Sequence, residues 1–382
     1  MVRAGTSADD INKVPDYGLE PRENDYAVIV GIEKYRGEIP QSDFSAEDAK
    51  LMRDYLIALG FRPVNIKLMI NEFATRDDIA AAVESWLPRR VKPESTVFFY
   101  YSGHGATDVT DPSKPRAFLV PYNGDPNDLA YSGYSIDTLK DKLSKLKASQ
   151  VIVMLDSCFS GMAGKGKPSH TLIAEGARPL ISQFTQVSQV AANMAMLTAT
   201  KSNQISTSDP EKGHGVMTYY FLKALRDGKT SLAEIYKAIK PSVQDEAMKI
   251  QGSEQTPELV LGDPERKGEF ILADPEKIIE AKKRLEEANS EKARMKRMEE
   301  DRKKFEAEKL EAQKKAEEAQ RKAQEAQAEA DRKLQEQKDR LDREHAERQA
   351  EQQRQFEAEK RRLEKLKKAP PREEPVYVPP TF

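Results

Sequence analysis

The sequence predicts an α/β fold, a mainly parallel sheet with helices on both faces, followed by a long C-terminal α-helix or coiled coil. Three observations carry this. Short, wholly apolar runs alternate with segments whose apolar residues recur at helical spacing, as in sheets built from βαβ units. Most of the runs are too continuous for a half-exposed strand and suit strands buried on both faces. From Glu276 to Lys368 the chain contains no glycine, proline, valine, tyrosine or tryptophan, and Glu, Lys, Arg, Gln and Ala, all strong helix formers, dominate.

Residues 1–25 are polar, with Pro15 and Pro21, and read as an extended leader. Tyr26 to Ile32 is the first strand. From Ser45, the residues Ala49, Met52, Leu56 and Leu59 mark a helix that Gly60 ends. Ile66 to Ile70 is a second strand, and Thr75 caps a second helix that stops before Pro88. Ser95 to Tyr101 is a third strand, leading directly into Ser102-Gly103-His104-Gly105. A short strand around Phe118–Val120, a helix over Ile136–Leu146 and a buried strand over Gln150–Leu155 follow. The last of these leads into Asp156-Ser157-Cys158-Phe159-Ser160-Gly161. The glycine- and lysine-rich stretch from Gly161 to about Leu180 reads as a surface loop. Beyond it come a strand over Ala195–Thr200, a helix over Val216–Leu225 and one or two more between Leu232 and Ala247.

The 382 residues carry 62 basic and 64 acidic side chains, a net charge of -2, so a general nucleic-acid binder is not expected. No apolar run reaches the ~18–20 residues of a membrane span. The N-terminal residues lack the apolar core of a secretion signal. A cytoplasmic protein is expected as the sequence stands, or a secreted or periplasmic one if a signal has been removed. A single cysteine excludes an internal disulfide, and the four histidines show no zinc spacing, so neither metal nor cofactor is expected.

Both polar motifs fall at strand ends, where ligands bind in open α/β sheets. A lone cysteine is by default a small buried hydrophobe. Here, however, Cys158 follows a buried strand among small residues, and His104 lies between two glycines after a neighbouring strand. A thiolate nucleophile needs a histidine within reach and backbone donors for the oxyanion.

The motifs FYYSGHG and MLDSCFSG resemble the paired signatures of the caspase-like cysteine peptidases, above all their metacaspase and bacterial caspase-homologue branch. VIVGIEKY, SAEDAKLMRDYL and HGVMTYYFLKAL resemble further segments of that family, so that the likeness covers roughly residues 25 to 265. His104 precedes Cys158 by roughly the fifty residues seen in caspases. The resemblance implies a caspase-like fold, His104 as general base and acid, and Cys158 as nucleophile. It also implies an oxyanion hole formed by the N–H groups of Gly105 and Cys158. It places Asp156, and with it Asp48, in a pocket for Arg or Lys before the scissile bond, where true caspases select aspartate. Calcium-dependent members carry an acidic run after the histidine. Asp108, Asp111, Asp125 and Asp128 do not reproduce it, so calcium activation is not expected.

The expected organisation is a leader (1–25), a peptidase domain (26–272), a charged helical tail (276–368) and a proline-rich end (369–382). Within the domain, a catalytic part runs to about 180 and a smaller part covers about 190–272. The expected substrates are proteins or peptides cut after Arg or Lys. Lys165, Lys167 and Arg178 are candidate self-cleavage points in the loop after the nucleophile. Met298, Phe305, Ala312, Ala319 and Ala326 recur every seven residues, a thin seam for a partner or for weak self-association. The alternative reading makes the protein a scaffold in which the tail is the working element and the domain is a regulated or degenerate module.

Overall fold

The computed structural model describes residues 10–108, 116–125, 128–157, 190–200, 204, 206–252, 254–266 and 270–367. In chain order the elements are β1 (Tyr26–Gly31), α1 (Ser45–Ala58), β2 (Ile66–Ile70), α2 (Arg76–Ala81), β3 (Thr96–Ser102), β4 (Gly105–Asp108), β5 (Arg116–Leu119), α3 (Leu129–Ser132) and β6 (Tyr134–Ser135). They continue with α4 (Ile136–Ser144), β7 (Gln150–Asp156), β8 (Met194–Thr198), β9 (Ser208–Asp209), β10 (His214–Gly215), α5 (Val216–Arg226), α6 (Leu232–Gln251), β11 (Glu258–Leu261) and α7 (Pro275–Lys367).

Six strands form one sheet in the order β11-β8-β7-β3-β1-β2. All its pairings are parallel except β11 with β8. Alternate residues of each central strand serve opposite faces, as the period of two requires. Ala27, Ile29, Phe98, Tyr100, Ile152 and Met154 pack under α1, α5 and α6. Val28, Val30, Phe99, Tyr101, Val153 and Leu155 pack on the other side with residues of α2 and α4. This double burial is why the strands read as unbroken apolar runs. It supplies most of the stability, at ~1.5–3 kcal/mol for each large apolar side chain removed from water.

Local signals in the sequence have identifiable counterparts. Thr75 caps α2 in a reciprocal capping box with Asp78. The helix then continues as one π-turn over Ala82–Trp86. Leu232–Gln251 is a single helix with Pro241 inside it. Three features escaped prediction. These are the strands β4 and β6 that flank the expected short strand β5, the β9–β10 hairpin, and the antiparallel edge strand β11, whose four residues ELVL give little periodicity.

Residues 10–25 form no long element, yet they are sewn to the domain. Ile11 and Tyr17 are buried in the core. The Tyr17 hydroxyl donates to Leu225 O (2.7 Å) and the Tyr55 hydroxyl to Ile11 O (2.8 Å).

The chain divides into two units, Met1–Asn289 and Ser290–Phe382. In the first, the opening turns of α7 take part in the core, with Ile278 and Ala281 buried. In the second, the described residues are helix to Lys367, and Met298, Phe305, Leu334 and Leu341 are exposed. The heptad spacing of this helix is consistent with a coiled coil. No helix among the described residues is long and apolar enough to cross a membrane.

Candidate active site

The chain passes from β1 to β2 on one side of the sheet and from β3 to β7 on the other, which creates a switch point at the carboxyl ends of β1 and β3. A crevice opens there. Its walls include Asp43, Ser102, His104, Asp156, Ser157 and Thr207. Ser102 and Asp156 lie opposite one another in the β3–β7 register, so both motifs reach the crevice from adjacent strands.

His104 is buried, and its Nε2 lies 2.8 Å from the carbonyl oxygen of Pro40. A carbonyl only accepts, so Nε2 carries the proton in this bond and Nδ1 is left as the basic nitrogen. Burial pushes the imidazole below its ordinary pKa, opposed by the carbonyls of Pro40 and Gln41 and by Asp43. Tyr35 stacks on the ring at 5.0 Å between centroids, and its hydroxyl accepts from the His104 N–H at 2.6 Å. Gly103 must be glycine: its φ is +156°, and a Cβ there would lie 2.7 Å from the Tyr35 hydroxyl and 2.9 Å from that of Tyr101.

The loop carrying Pro40 is itself held. Asn71 Oδ1 accepts from the N–H groups of Glu33 (2.9 Å) and Lys34 (3.0 Å), and Arg36 N donates to Tyr122 O. Phe44, at φ 68°, turns the chain into α1 in a conformation rare outside glycine.

Gly105 opens β4 opposite Leu119. Val120 N donates to His104 O at 3.0 Å, so Gly105 and Leu119 form a non-hydrogen-bonded pair and the Gly105 N–H points out of the ladder.

Asp156 is buried at the end of β7. Its Oδ1 accepts from the Ser206 hydroxyl (2.7 Å), and its Oδ2 from the Thr218 hydroxyl (2.7 Å) and N–H (3.1 Å). Burial raises its pKa, and these donors offset part of the rise. Tyr100 shares its hydroxyl with Thr218 Oγ1 at 2.7 Å, and burial keeps the phenol protonated. Asp48, on α1, has no exposed surface. It meets His214 Nδ1 at 2.7 Å and accepts from Gly215 N at 2.9 Å. Burial pushes it up to about 6, with His214 acting in the opposite direction.

The two carboxylates converge on Gly215. A Cβ there would stand 2.8 Å from Asp156 Oδ2 and 2.9 Å from Asp48 Oδ2. Lys212 ties the hairpin bearing Gly215 to α6 through Asp209 and Glu246.

His104, Gly105, Asp156 and Asp48 are therefore gathered around one strand edge. His104 and Asp156 line the crevice, and Asp48 lies behind Gly215. Cys158 lies outside the described residues, as do Lys165, Lys167 and Arg178. Asp108 is paired with Arg116 at 2.6 Å. Among the described residues no group of three or more His, Cys, Asp or Glu side chains could hold a metal ion.

Sequence reasoning missed the Pro40 carbonyl, which has no side-chain signature. It also missed Tyr35, Ser206, Thr218 and His214. The histidine beside the glycine that opens HGVMTYYFLKAL was the one available signal.

The profile of the Caspase domain family (Peptidase C14) matches residues 24–267. Metacaspase-1 of Lodderomyces elongisporus and Metacaspase-1 of Candida albicans are each 26% identical over 148 residues. That is 35% of this chain and 32% and 33% of theirs, so the match spans about a third of the length of these relatives. A solved structure of a Geobacter sulfurreducens protein aligns with a TM-score of 0.49 and 18% identity, covering 66% of this chain and 100% of that one. Caspase-1 from Spodoptera frugiperda aligns with a TM-score of 0.44 and 12% identity, covering 66% of this chain and 92% of that one.

Proposed function

This chain belongs to the caspase-domain family of cysteine-type peptidases, and we propose that it is an endopeptidase cutting after Arg or Lys with His104 and Cys158 as its catalytic pair. The observation that carries the proposal is the pairing of motifs across one crevice. Ser102 and Asp156 are register partners on β3 and β7, so the strands that run in sequence into the two motifs end side by side at one edge of the sheet.

In the proposed reaction the Pro40 carbonyl fixes Nε2–H, and Nδ1 of His104 takes the Cys158 thiol proton. The thiolate attacks the carbonyl carbon of the scissile bond, and the oxyanion accepts hydrogen bonds from the N–H groups of Gly105 and Cys158. The imidazolium, steadied by the Pro40 carbonyl, gives its proton to the leaving amine. Water activated by the same nitrogen then hydrolyses the thioester and regenerates the thiol.

Asp156 supports the specificity half of the proposal. A buried carboxylate on the crevice wall attracts a guanidinium or ammonium through a charge-assisted hydrogen bond. A second role, docking or assembly through the helical tail, is favoured by the exposure of Met298 and Phe305 on α7.

The test uses fluorogenic peptides that differ only in the residue before the scissile bond. Arg and Lys peptides should be hydrolysed and Asp peptides should not. Cys158→Ala should abolish turnover, and Asp156→Asn should weaken cleavage of basic peptides more than its size change predicts. Turnover undiminished in Cys158→Ala would end the peptidase reading, and a preference for Asp would end the specificity reading.

A further inference from the structure

We propose that Tyr35 is a positioning residue for His104: its hydroxyl accepts the His104 peptide N–H and so sets the backbone from which the imidazole reaches the reacting atoms. The proposal rests on the His104–Cys158 reading above and adds a residue to it.

The argument begins with backbone hydrogen bonds. β3 ends at Ser102 and β4 begins at Gly105. Gly103 and His104 therefore fall between the two ladders, and their peptide groups need partners from elsewhere. The His104 carbonyl has two donors, the Tyr101 hydroxyl at 2.7 Å and Val120 N at 3.0 Å. The His104 N–H has the Tyr35 hydroxyl at 2.6 Å. An amide N–H only donates, so the phenol oxygen is the acceptor.

The segment that carries Tyr35 follows the histidine motif step by step. Ile32 N donates to Ser102 O at 2.9 Å, Tyr35 meets the His104 N–H, and Pro40 O lies 2.8 Å from His104 Nε2. Tyr35 thus fixes the peptide nitrogen of His104 and Pro40 fixes its far ring nitrogen. With both points held, Nδ1 has one position. The Tyr35 ring is held in turn. It stacks on the imidazole with 29° between the planes. It also packs against the cluster under α2 and α4 and against the small cluster of Ala106, Phe118, Val120 and Leu129. Gly103 leaves room for the hydroxyl, since a Cβ there would stand 2.7 Å from it.

Tyr35→Phe keeps the ring and removes the acceptor. The buried N–H then stays unpaired or turns toward another oxygen, and a turn of the His104 backbone carries Nδ1 away from the thiol. A misplacement of ~1 Å costs on the order of a hundredfold in rate, and with Pro40 still holding Nε2 we expect kcat to fall about tenfold. The walls of the crevice are formed by other residues, so KM should stay within about twofold, as for an interaction that serves the transition state alone.

The test uses the full-length protein and the peptide it cleaves best. Active sites are counted by titration with an irreversible, thiol-directed peptidyl ketone, so that kcat is expressed per intact site. Tyr35→Phe is then repeated in the His104→Ala background, with residual hydrolysis of an activated nitrophenyl ester as the readout. A residue acting through His104 should have no effect there. A merely structural role would lower Tm or the number of titratable sites, leave kcat per site at the wild-type value, and cost the same in both backgrounds. An unchanged kcat per site in Tyr35→Phe, or an equal loss without His104, would overturn the inference. A wild type that hydrolyses no peptide would instead refute the His104–Cys158 reading, and with it any catalytic role for Tyr35.

Discussion

Thr218→Val tests the support of Asp156 most directly, because it changes shape little and removes one hydroxyl. Thr218 has no exposed surface. Its Oγ1 donates to Asp156 Oδ2 and is shared with the Tyr100 hydroxyl, each at 2.7 Å. Losing a hydrogen bond to a charged acceptor costs about 1.5–3 kcal/mol. The Tyr100 phenol is also deprived of a partner, but Ser102 remains within reach of it. The expected loss is about 2–3 kcal/mol, or roughly 5–10 °C in Tm for a domain of this size. Asp156 keeps Ser206 and the Thr218 N–H, yet with one donor fewer its carboxyl holds a proton to higher pH. KM for an Arg peptide should therefore rise most below neutrality. Thr218→Ser, which keeps the hydroxyl, should recover most of both losses. Urea denaturation and KM at two pH values make the measurement. Thr218→Val within about 0.5 kcal/mol of the wild type, with an unchanged KM, would refute the reasoning.

Two further expectations concern the histidine and the loop. Burial lowers the His104 pKa from its ordinary value of 6.5, so the acid limb of kcat/KM should lie below 6.5; a limb above it would contradict the environment described. For stability the sign follows the same depression: the neutral ring is fully tolerated above 6.5, and stability is lost as pH falls from there through the lowered folded value. His104→Gln should flatten the stability profile in that window, and a wild-type profile already flat there would count against it. In the loop, self-cleavage should fall after Lys165, Lys167 or Arg178, as read by N-terminal sequencing of mature fragments. An active enzyme that never nicks, or that is cut only elsewhere, would reject that proposal.

The fold was legible where burial on both faces left continuous apolar runs. Tyr26–Gly31, Thr96–Ser102 and Gln150–Asp156 match their sequence signals almost residue for residue. It was illegible where elements are short. β9 and β10 have two residues each, and β11 is an edge strand, so none carries enough residues to express a period. The site divides the same way. His104 and Asp156 stand in glycine- and serine-marked turns, which local sequence reports. The Pro40 carbonyl, the Ser206 and Thr218 donors and the His214–Asp48 contact are long-range, with His214 and Asp48 on separate elements joined only by the packing of α1 against the hairpin.

The tail was legible as helix but not in where it starts to matter. The sequence sets a break near residue 276, whereas Ile278 and Ala281 are buried in the core of the first unit. A truncation after Ala273 would remove both, and exposing the cavity left by a buried isoleucine costs about 2–5 kcal/mol. A truncation after Asn289 removes neither, so it should leave both stability and peptide hydrolysis nearly unchanged. Beyond that point α7 presents Glu–Lys pairs four residues apart, as in Glu299–Lys303, Glu311–Lys315, Glu318–Lys322 and Glu329–Lys333. Glutamate stands first in each, the favourable orientation, and each contributes a few tenths of a kcal/mol. The seam residues between 312 and 326 are alanines, which bury little area in any partner helix. We therefore expect residues 290–367 to be helical alone, to lose helicity as salt screens the pairs, and to associate weakly at most. Sedimentation as a tight dimer or trimer at micromolar concentration, or salt-independent helicity, would show that the heptad seam holds the tail together instead. Loss of hydrolysis in the protein truncated after Asn289 would show that the tail serves the crevice directly.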